Sequence, residues 1–233
     1  MAAVEEAKKA AQQRLEAAKA LPAAYLREVF EGEEAQRWPT KTLGELATRI
    51  TDGTHQSPPF TDTGIPFLFV RNIVKGSIDF DVDNYISAAT YEKLTKSWKP
   101  ERGDILYSAV GSFGVPVVIE TDAPFLFQRH IAIIKPKHDF VDKWFLKLFL
   151  DSPSGKQQSD SSALGGAQRT VTLKMLSQFI VPFPPLEEQK RIASELDDKI
   201  AGVKLAEASI QQELDTIEAM PAALLRKAFS GGL

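Results

Sequence analysis

The sequence predicts an α+β protein in which a globular middle with a mixed sheet is joined to long helices at both ends of the chain. Three observations carry the prediction. Short apolar runs bounded by Gly, Pro and Asp fill the middle, apolar residues recur every seven positions near the C-terminus, and the first 32 residues are repeated there. Of 233 residues, 43% are hydrophobic and 25% charged, which supplies a real core and separates the chain from disordered sequences. The length allows one or two domains.

Residues 1–32 align without a gap on residues 200–231, with 14 identical pairs among 32. The pairs include Val4/Val203, Gln12/Gln211, Gln13/Gln212, Leu15/Leu214 and a shared Pro-Ala-Ala-x-Leu-Arg-x-x-Phe-x-Gly beginning at Pro22 and Pro221. Two copies around a unique middle make a duplicated connector, since a solenoid needs about three stacked units. Both copies read as helices. Leu196, Val203, Ile210, Ile217 and Leu224 recur every seven residues, flanked by Ile192, Ile200, Ala206 and Leu214, the spacing of a coiled-coil seam. The first copy has Val4, Ala11, Ala18 and Tyr25 at those positions. A helix over 187–219 is a rod of roughly 50 Å, too thin to bury its own stripe. A partner helix is therefore expected, held through Leu196, Val203, Ile210, Leu214, Ile217 and Leu224. Pro22 and Pro221 lack the amide a helix needs, so a kink or a fresh short helix is expected there, with the last one stopping at Gly231.

The middle reads in order as a helix over 43–50, a strand over 65–70, a helix over 87–97, strands over 104–108, 115–119 and 130–134, helices over 141–150 and 173–177, and a strand over 179–182. Pro182 to Pro185 forms a stiff exit, and Leu186-Glu-Glu-Gln opens the last helix with acid where the helix dipole favours it. The expected divisions are a connector helix over 1–37, a globular domain over 38–186 and a long helix over 187–233.

Much chemistry is excluded. The chain has no cysteine and three histidines, and His55, His130 and His138 are too scattered for a metal-ligand pattern. No Gly-x-Ser-x-Gly, Gly-Lys-Ser/Thr or His-Glu-x-x-His element is present. Ser57-Pro58-Pro59-Phe60 imitates the element with which amino-methyltransferases hold a flipped base, but the chain lacks the glycine-rich cofactor turn and the doubly wound domain that such an enzyme needs. Asp79, Asp81 and Asp83 lack the glycine and distal glutamate of a calcium loop and read as a solvated acidic turn. The start, Met1-Ala-Ala-Val-Glu-Glu, is polar and apolar runs are short, so a soluble cytoplasmic protein without a membrane span is expected.

Three polar loops suit the reading of a polar polymer: 51–57, 107–114 and 152–172. Gln and Arg can bond adenine and guanine edges, and Ser and Thr can reach phosphates. The candidates are Thr54, His55, Gln56, Arg71, Asn72, Ser108, Ser112, Gln168, Arg169 and Thr170. Net charge is −3, from 28 basic and 31 acidic side chains. Residues 1–37 hold 6 basic and 7 acidic, 38–186 hold 16 and 15, and 187–233 hold 6 and 9. The excess acid thus belongs to the helices, and a near-neutral middle by itself should bind DNA weakly. The residues alone also fit a coiled-coil protein-interaction adaptor that reads no DNA.

Several stretches are similar to the specificity (S) subunits of type I restriction-modification systems. They are Trp38-Pro-Thr-Lys-Thr-Leu-Gly-Glu-Leu, Asp52-Gly-Thr-His-Gln-Ser-Pro-Pro-Phe, Gly64-Ile-Pro-Phe-Leu-Phe-Val-Arg-Asn-Ile, Gly103-Asp-Ile-Leu, Gly165-Gly-Ala-Gln-Arg and Ile180-Val-Pro-Phe-Pro-Pro-Leu-Glu-Glu-Gln-Lys-Arg-Ile. The last is the most specific, the join between a target-recognition domain and its spacer helix. The resemblance implies a non-catalytic subunit that reads double-stranded DNA, with spacer helices packed as an antiparallel coiled coil. It implies no cofactor in this chain: S-adenosylmethionine is expected on a methyltransferase subunit, and ATP and Mg on a restriction/translocase subunit. One recognition domain stands where two are expected. The duplicated connector therefore suggests a homodimer through the spacer helices, each chain reading one half of a split target. The same residues also fit the tail of a spacer helix from a longer subunit.

Overall fold

The computed structural model describes the backbone of residues 2–163 and 169–229, and the side chains of all of these except 222–229. The chain divides into two compact units, residues 26–193 and a helical unit formed by the segments on either side.

The helical unit pairs α1 (Ala2–Glu31) with α7 (Leu186–Phe229). Arg14 bonds Glu213 at 2.7 Å and Lys8 bonds Glu218 at 2.8 Å, so the helices run antiparallel. Ala11, Leu15, Leu214 and Ile217 form a buried cluster flanked by Val4 and Ile210. Leu196 and Val203 are buried as well, while Leu224 lies where no side chain is described. The stripe expected to face a partner helix is covered along 210–217 by α1 of the same chain. The reason is chemical economy of the repeat: its two copies carry matching small and large residues, and each buries the stripe of the other. Pro22 and Pro221 both sit inside helices that run through them, so no fresh helix begins at either. Past Pro22, α1 is anchored by Phe30, whose ring lies 5.3 Å from Phe145 and 5.6 Å from Phe149. That packing offsets the roughly 3 kcal/mol a helical proline costs. The expected stop at Gly231 lies outside the described residues.

The described residues of 26–193 form three small sheets. The largest has the order β2 (Ala47–Asp52), β8 (Ile131–Pro136), β5 (Ile105–Ser108), β6 (Pro116–Val118), all antiparallel. In the second, β3 (Ile65–Leu68) pairs antiparallel with β4 (Tyr85–Ile86) and parallel with β7 (Leu126–Phe127), which makes the architecture mixed. The third joins β1 (Thr40–Thr42) to β9 (Ile180–Pro182). Leu68, Ile73, Leu106, Phe125, Phe127, Ile131 and Ile133 form one core cluster. Around the sheets lie α2 (Leu43–Leu46), α3 (Ala88–Leu94), α4 (Lys143–Asp151), α5 (Pro153–Ser162) and α6 (Leu173–Ser177).

Two elements differ from expectation. The helix expected over 43–50 is a single turn, closed by a capping box between Thr42 and Glu45. The backbone N–H and hydroxyl of Thr42 both donate to Glu45, which holds the Glu45 carboxyl below its ordinary pKa. The β-branched Thr48, Ile50 and Thr51 then go to β2, where such residues pack well. Conversely, the polar stretch from Ser152 contains α5. The Ser152 hydroxyl accepts from Gly155 N, and Pro153 occupies the first turn, both strong start signals. Hydrophobic periodicity missed the helix because its buried positions are Gly155 and Ser159. The acidic 79–83 segment is a turn, with Asp81 N donating to the Asp79 carboxylate.

At the start of α7, Gln189 is fully buried. Its amide oxygen accepts from Asp142 N at 2.9 Å, and its amide nitrogen donates to Phe140 O and Pro184 O. The Leu-Glu-Glu-Gln join is therefore a clamp fixing the first turn of α7 to the cap of α4.

Candidate nucleic-acid interface

The three polar loops are drawn to one end of the large sheet, where β2 and β5 end and β8 begins. They are stitched by main-chain hydrogen bonds. Thr54 N donates to Phe127 O, Arg129 N to Thr54 O, Ala109 N to His130 O, Gly111 N to Arg169 O and Val171 N to Ala109 O. Bridges Thr54–Gln128 and Val110–Thr170 complete the order 54, 128–130, 109–111, 169–171. Gly53 makes the first crossing possible: a Cβ there would stand 2.0 Å from Phe127 O and 2.7 Å from the Gln128 carbonyl, so no larger residue fits. At Gly111 and Gly114 the chain turns with φ of +74° and +90°, a region glycine enters without strain.

Several expected residues present their side chains from this strip. His55 is exposed, with its ring 3.1 Å from the Asp52 carboxylate. Gln56 and Ser112 are exposed and Thr170 is half-buried. Arg169 stacks 5.1 Å from the Phe113 ring and pairs with Asp160 at 3.5 Å. Arg71 lies beyond, 5.3 Å over Phe69 and 3.2 Å from Asp83. Phe60 of the methyltransferase-like motif packs on Phe67 at 5.3 Å and is 39% exposed.

Others must be corrected. Asn72 is 3% exposed and its side-chain oxygen accepts from Phe69 N, so it caps a turn. Ser108 is wholly buried and its hydroxyl accepts from Val115 N. Thr54 is half-buried, with a buried hydroxyl that has no partner among the described residues; its backbone, not its side chain, organises the strip. Gln168 lies outside the described residues. The sequence reading passed over Gln128, Arg129 and His130, which fill the gap between the loops. Their signal was a polar triplet with base-reading chemistry wedged between two apolar runs, hidden because His130 read as strand.

Behind the strip, the hydroxyls of Tyr107 and Ser159 form a short, buried hydrogen bond. Burial pushes the Tyr107 phenol up to about 12. At the opposite end of β8, Lys135 bonds Asp104 at 2.6 Å and Glu101 at 2.8 Å. Burial disfavours the Lys135 charge, but the two carboxylates outweigh it and raise its pKa. This network braces the sheet end away from the loops.

A family model described as type I restriction modification DNA specificity domain matches residues 36–216. The EcoBI type I restriction enzyme specificity subunit of Escherichia coli is 28% identical over 170 residues, 73% of this chain and 36% of that protein. The putative MjaX type I restriction enzyme specificity subunit of Methanocaldococcus jannaschii is 23% identical over 209 residues, 87% of this chain and 48% of that protein. This chain thus spans less than half the length of these curated relatives. Among solved structures, the HsdS subunit from Thermoanaerobacter tengcongensis aligns over 100% of this chain and 56% of its own, with TM-score 0.64 and 27% identity. A chain from a study of complex assembly and conformational transition in the type I R-M system aligns over 100% of this chain and 57% of its own, with TM-score 0.80 and 24% identity; that likeness speaks to the fold alone.

Proposed function

We propose, from the premise that this chain belongs to the type I restriction modification DNA specificity domain family, that it is the DNA-reading part of a type I specificity subunit. The family is one of DNA specificity, with no catalytic role of its own. The observation that carries the reading is the strip itself: His55, Gln56, Gln128, Arg129, Ser112, Arg169 and Thr170 gathered at one sheet end on a main-chain frame. Donors and acceptors of these types discriminate bases in the major groove, while Arg71 and the hydroxyls suit phosphates. The globular unit reads one half of a split target, and the helices present it to methyltransferase subunits. S-adenosylmethionine, ATP and Mg act on those partners and on the restriction subunit. No helix among the described residues is long and apolar enough to cross a membrane, in keeping with work on DNA in the cytoplasm.

The test is to co-express the full chain with its methyltransferase subunit and map methylated adenines across a genome. A split motif in which one half changes on substitution of Gln56 or Arg129 is expected. A motif indifferent to both residues overturns the reading of the strip, and absence of any motif overturns the DNA reading. Binding should also weaken steeply with salt, in proportion to the phosphates contacted. A two-fold symmetric motif supports a pair of these chains, and an asymmetric one opposes it.

A further inference from the structure

The antiparallel helices hold a second pattern that their apolar seam does not explain. Arg14 faces Glu213, and the two are separated by 199 residues, the offset of the sequence repeat. A residue here faces its own equivalent, so a local two-fold axis passes between them. An unbroken repeat would set like charge against like at this point. Instead the copies are inverted: Lys8, Arg14 and Lys19 of the first are Glu207, Glu213 and Glu218 in the second. Lys8 bonds Glu218 at 2.8 Å, and that hydrogen bond and charge raise the Lys8 pKa. Eleven residues along α1 and eleven back along α7, about three turns, the same register brings position 19 across from position 207, while the Lys19 ammonium itself bonds Glu16 of its own helix at 2.9 Å. Glu5 is inverted too, to Lys204, and acts on Lys8 from one turn away in its own helix. Of the seven repeat positions charged in both copies, five are inverted and two, Glu16/Asp215 and Arg27/Arg226, keep their sign; Glu16 is 72% exposed.

We infer that this inversion is an address: α1 is built to pair with an α7-type helix and to reject its own kind, so association of two chains through these helices proceeds only by exchange, α1 of each on α7 of the other. Two α1 helices in this register would set Lys8 against Lys19 and Arg14 against itself. Two α7 helices would set Glu207 against Glu218 and Glu213 against itself. Each exposed pair is weak, but replacing attraction by repulsion at three places biases the choice by on the order of ten- to a hundredfold at low salt. Screening at about 1 M salt should erase most of that bias.

The chain has no cysteine, which permits a direct test on the full-length protein. In the register of Arg14–Glu213, Ala7 lies beside Met220, and both are exposed. Ala7→Cys with Met220→Cys should oxidise readily, within one chain or between exchanged chains. Ala7→Cys with Leu21→Cys, which reports two α1 helices side by side, should give no interchain disulfide. Reversing Lys8, Arg14 and Lys19 to Glu should cut the first disulfide at least tenfold at low salt, and adding Glu207→Lys, Glu213→Arg and Glu218→Lys should restore it. An undiminished yield after the first reversal, no recovery after the second, or an interchain disulfide from the second reporter overturns the inference. Should the triple reversal not fold, the exchange of Arg14→Glu with Glu213→Arg reads the same effect on a smaller scale. None of these readouts involves DNA, so the address can fail while the reading of DNA stands, and the reverse.

Discussion

The helix pair and the polar strip are held by different kinds of contact. Along the helices, side chains do the holding: Ala11, Leu15, Leu214 and Ile217 interlock, and changing one changes the fit of the others. Across the strip, the holding is done by backbone N–H and C=O groups of residues 53–54, 109–111, 127–131 and 169–171. There the projecting side chains are spectators of the fold. Main-chain hydrogen bonds are indifferent to which side chain is attached, so the projecting residues of the strip can change without changing its frame.

The widest test of the contrast is in the helices. Leu15 and Leu214 are repeat equivalents and both are buried. Leu15→Ala and Leu214→Ala should each destabilise the helical unit by about 3 kcal/mol, the usual size for a core leucine. The internal two-fold predicts equal losses, agreeing within about 0.5 kcal/mol. Unfolding followed by far-ultraviolet circular dichroism checks this, and clearly unequal losses would break the symmetry.

Gly53→Ala asks whether the strip does rest on its backbone. The added methyl meets Phe127 O at 2.0 Å, and a collision with main chain that cannot rotate away costs about 2–3 kcal/mol. Urea unfolding of the full chain measures it, with loss of DNA binding expected alongside. A loss below about 0.5 kcal/mol would mean that the first crossing is not held as described.

These contrasts explain what was legible in the sequence. The helices announced themselves twice, by the repeat and by the spacing of Leu196, Val203, Ile210 and Ile217, because side-chain packing leaves its period in the sequence. No fresh helix begins at Pro22 or Pro221, because a local rule about proline does not see distant anchoring such as that of Phe30 on Phe145. In the middle, the apolar cores of β3, β5, β6 and β8 were readable, whereas α5 was not, its buried face being glycine and serine. The loops were identified correctly as polar, but a polar residue that caps a turn looks the same in sequence as one that faces solvent. That is why Asn72 and Ser108 stood beside Gln56 and Ser112, and why Gln128 and Arg129, brought in by strand pairing, were passed over.

Tyr107 gives a smaller, pH-dependent handle on the support beneath the strip. Burial holds its pKa at about 12 in the folded protein, above the ordinary value near 10. A folded-state pKa above the unfolded one stabilises below the unfolded value, so the contribution is intact below about pH 10 and is lost as pH rises toward 12. The gap of about two units corresponds to roughly 2–3 kcal/mol. Tyr107→Phe should abolish this alkaline loss, at about 1 kcal/mol near neutrality for the forfeited bond to Ser159. Unfolding midpoints measured across this pH range decide it; an unchanged alkaline slope in the variant would assign the loss to other groups.

The smallest effect on folding is the most telling for function. Gln56 and Arg129 are exposed, and the hydrogen bonds that hold their loops come from backbone atoms, Arg129 N to Thr54 O among them. Gln56→Ala and Arg129→Ala should therefore shift stability by less than about 0.5 kcal/mol. If each reads a base edge, the same substitutions should relax discrimination at one position by roughly 1–3 kcal/mol, about five- to 150-fold in relative affinity. A phosphate contact would behave otherwise, weakening binding alike on all sequences and lowering the salt slope by about one. Binding of matched and singly mismatched duplexes at two salt concentrations separates the cases. If either variant lost several kcal/mol of stability, the side chain would belong to the frame, and the division between a fixed backbone and exchangeable readers would fail at that residue.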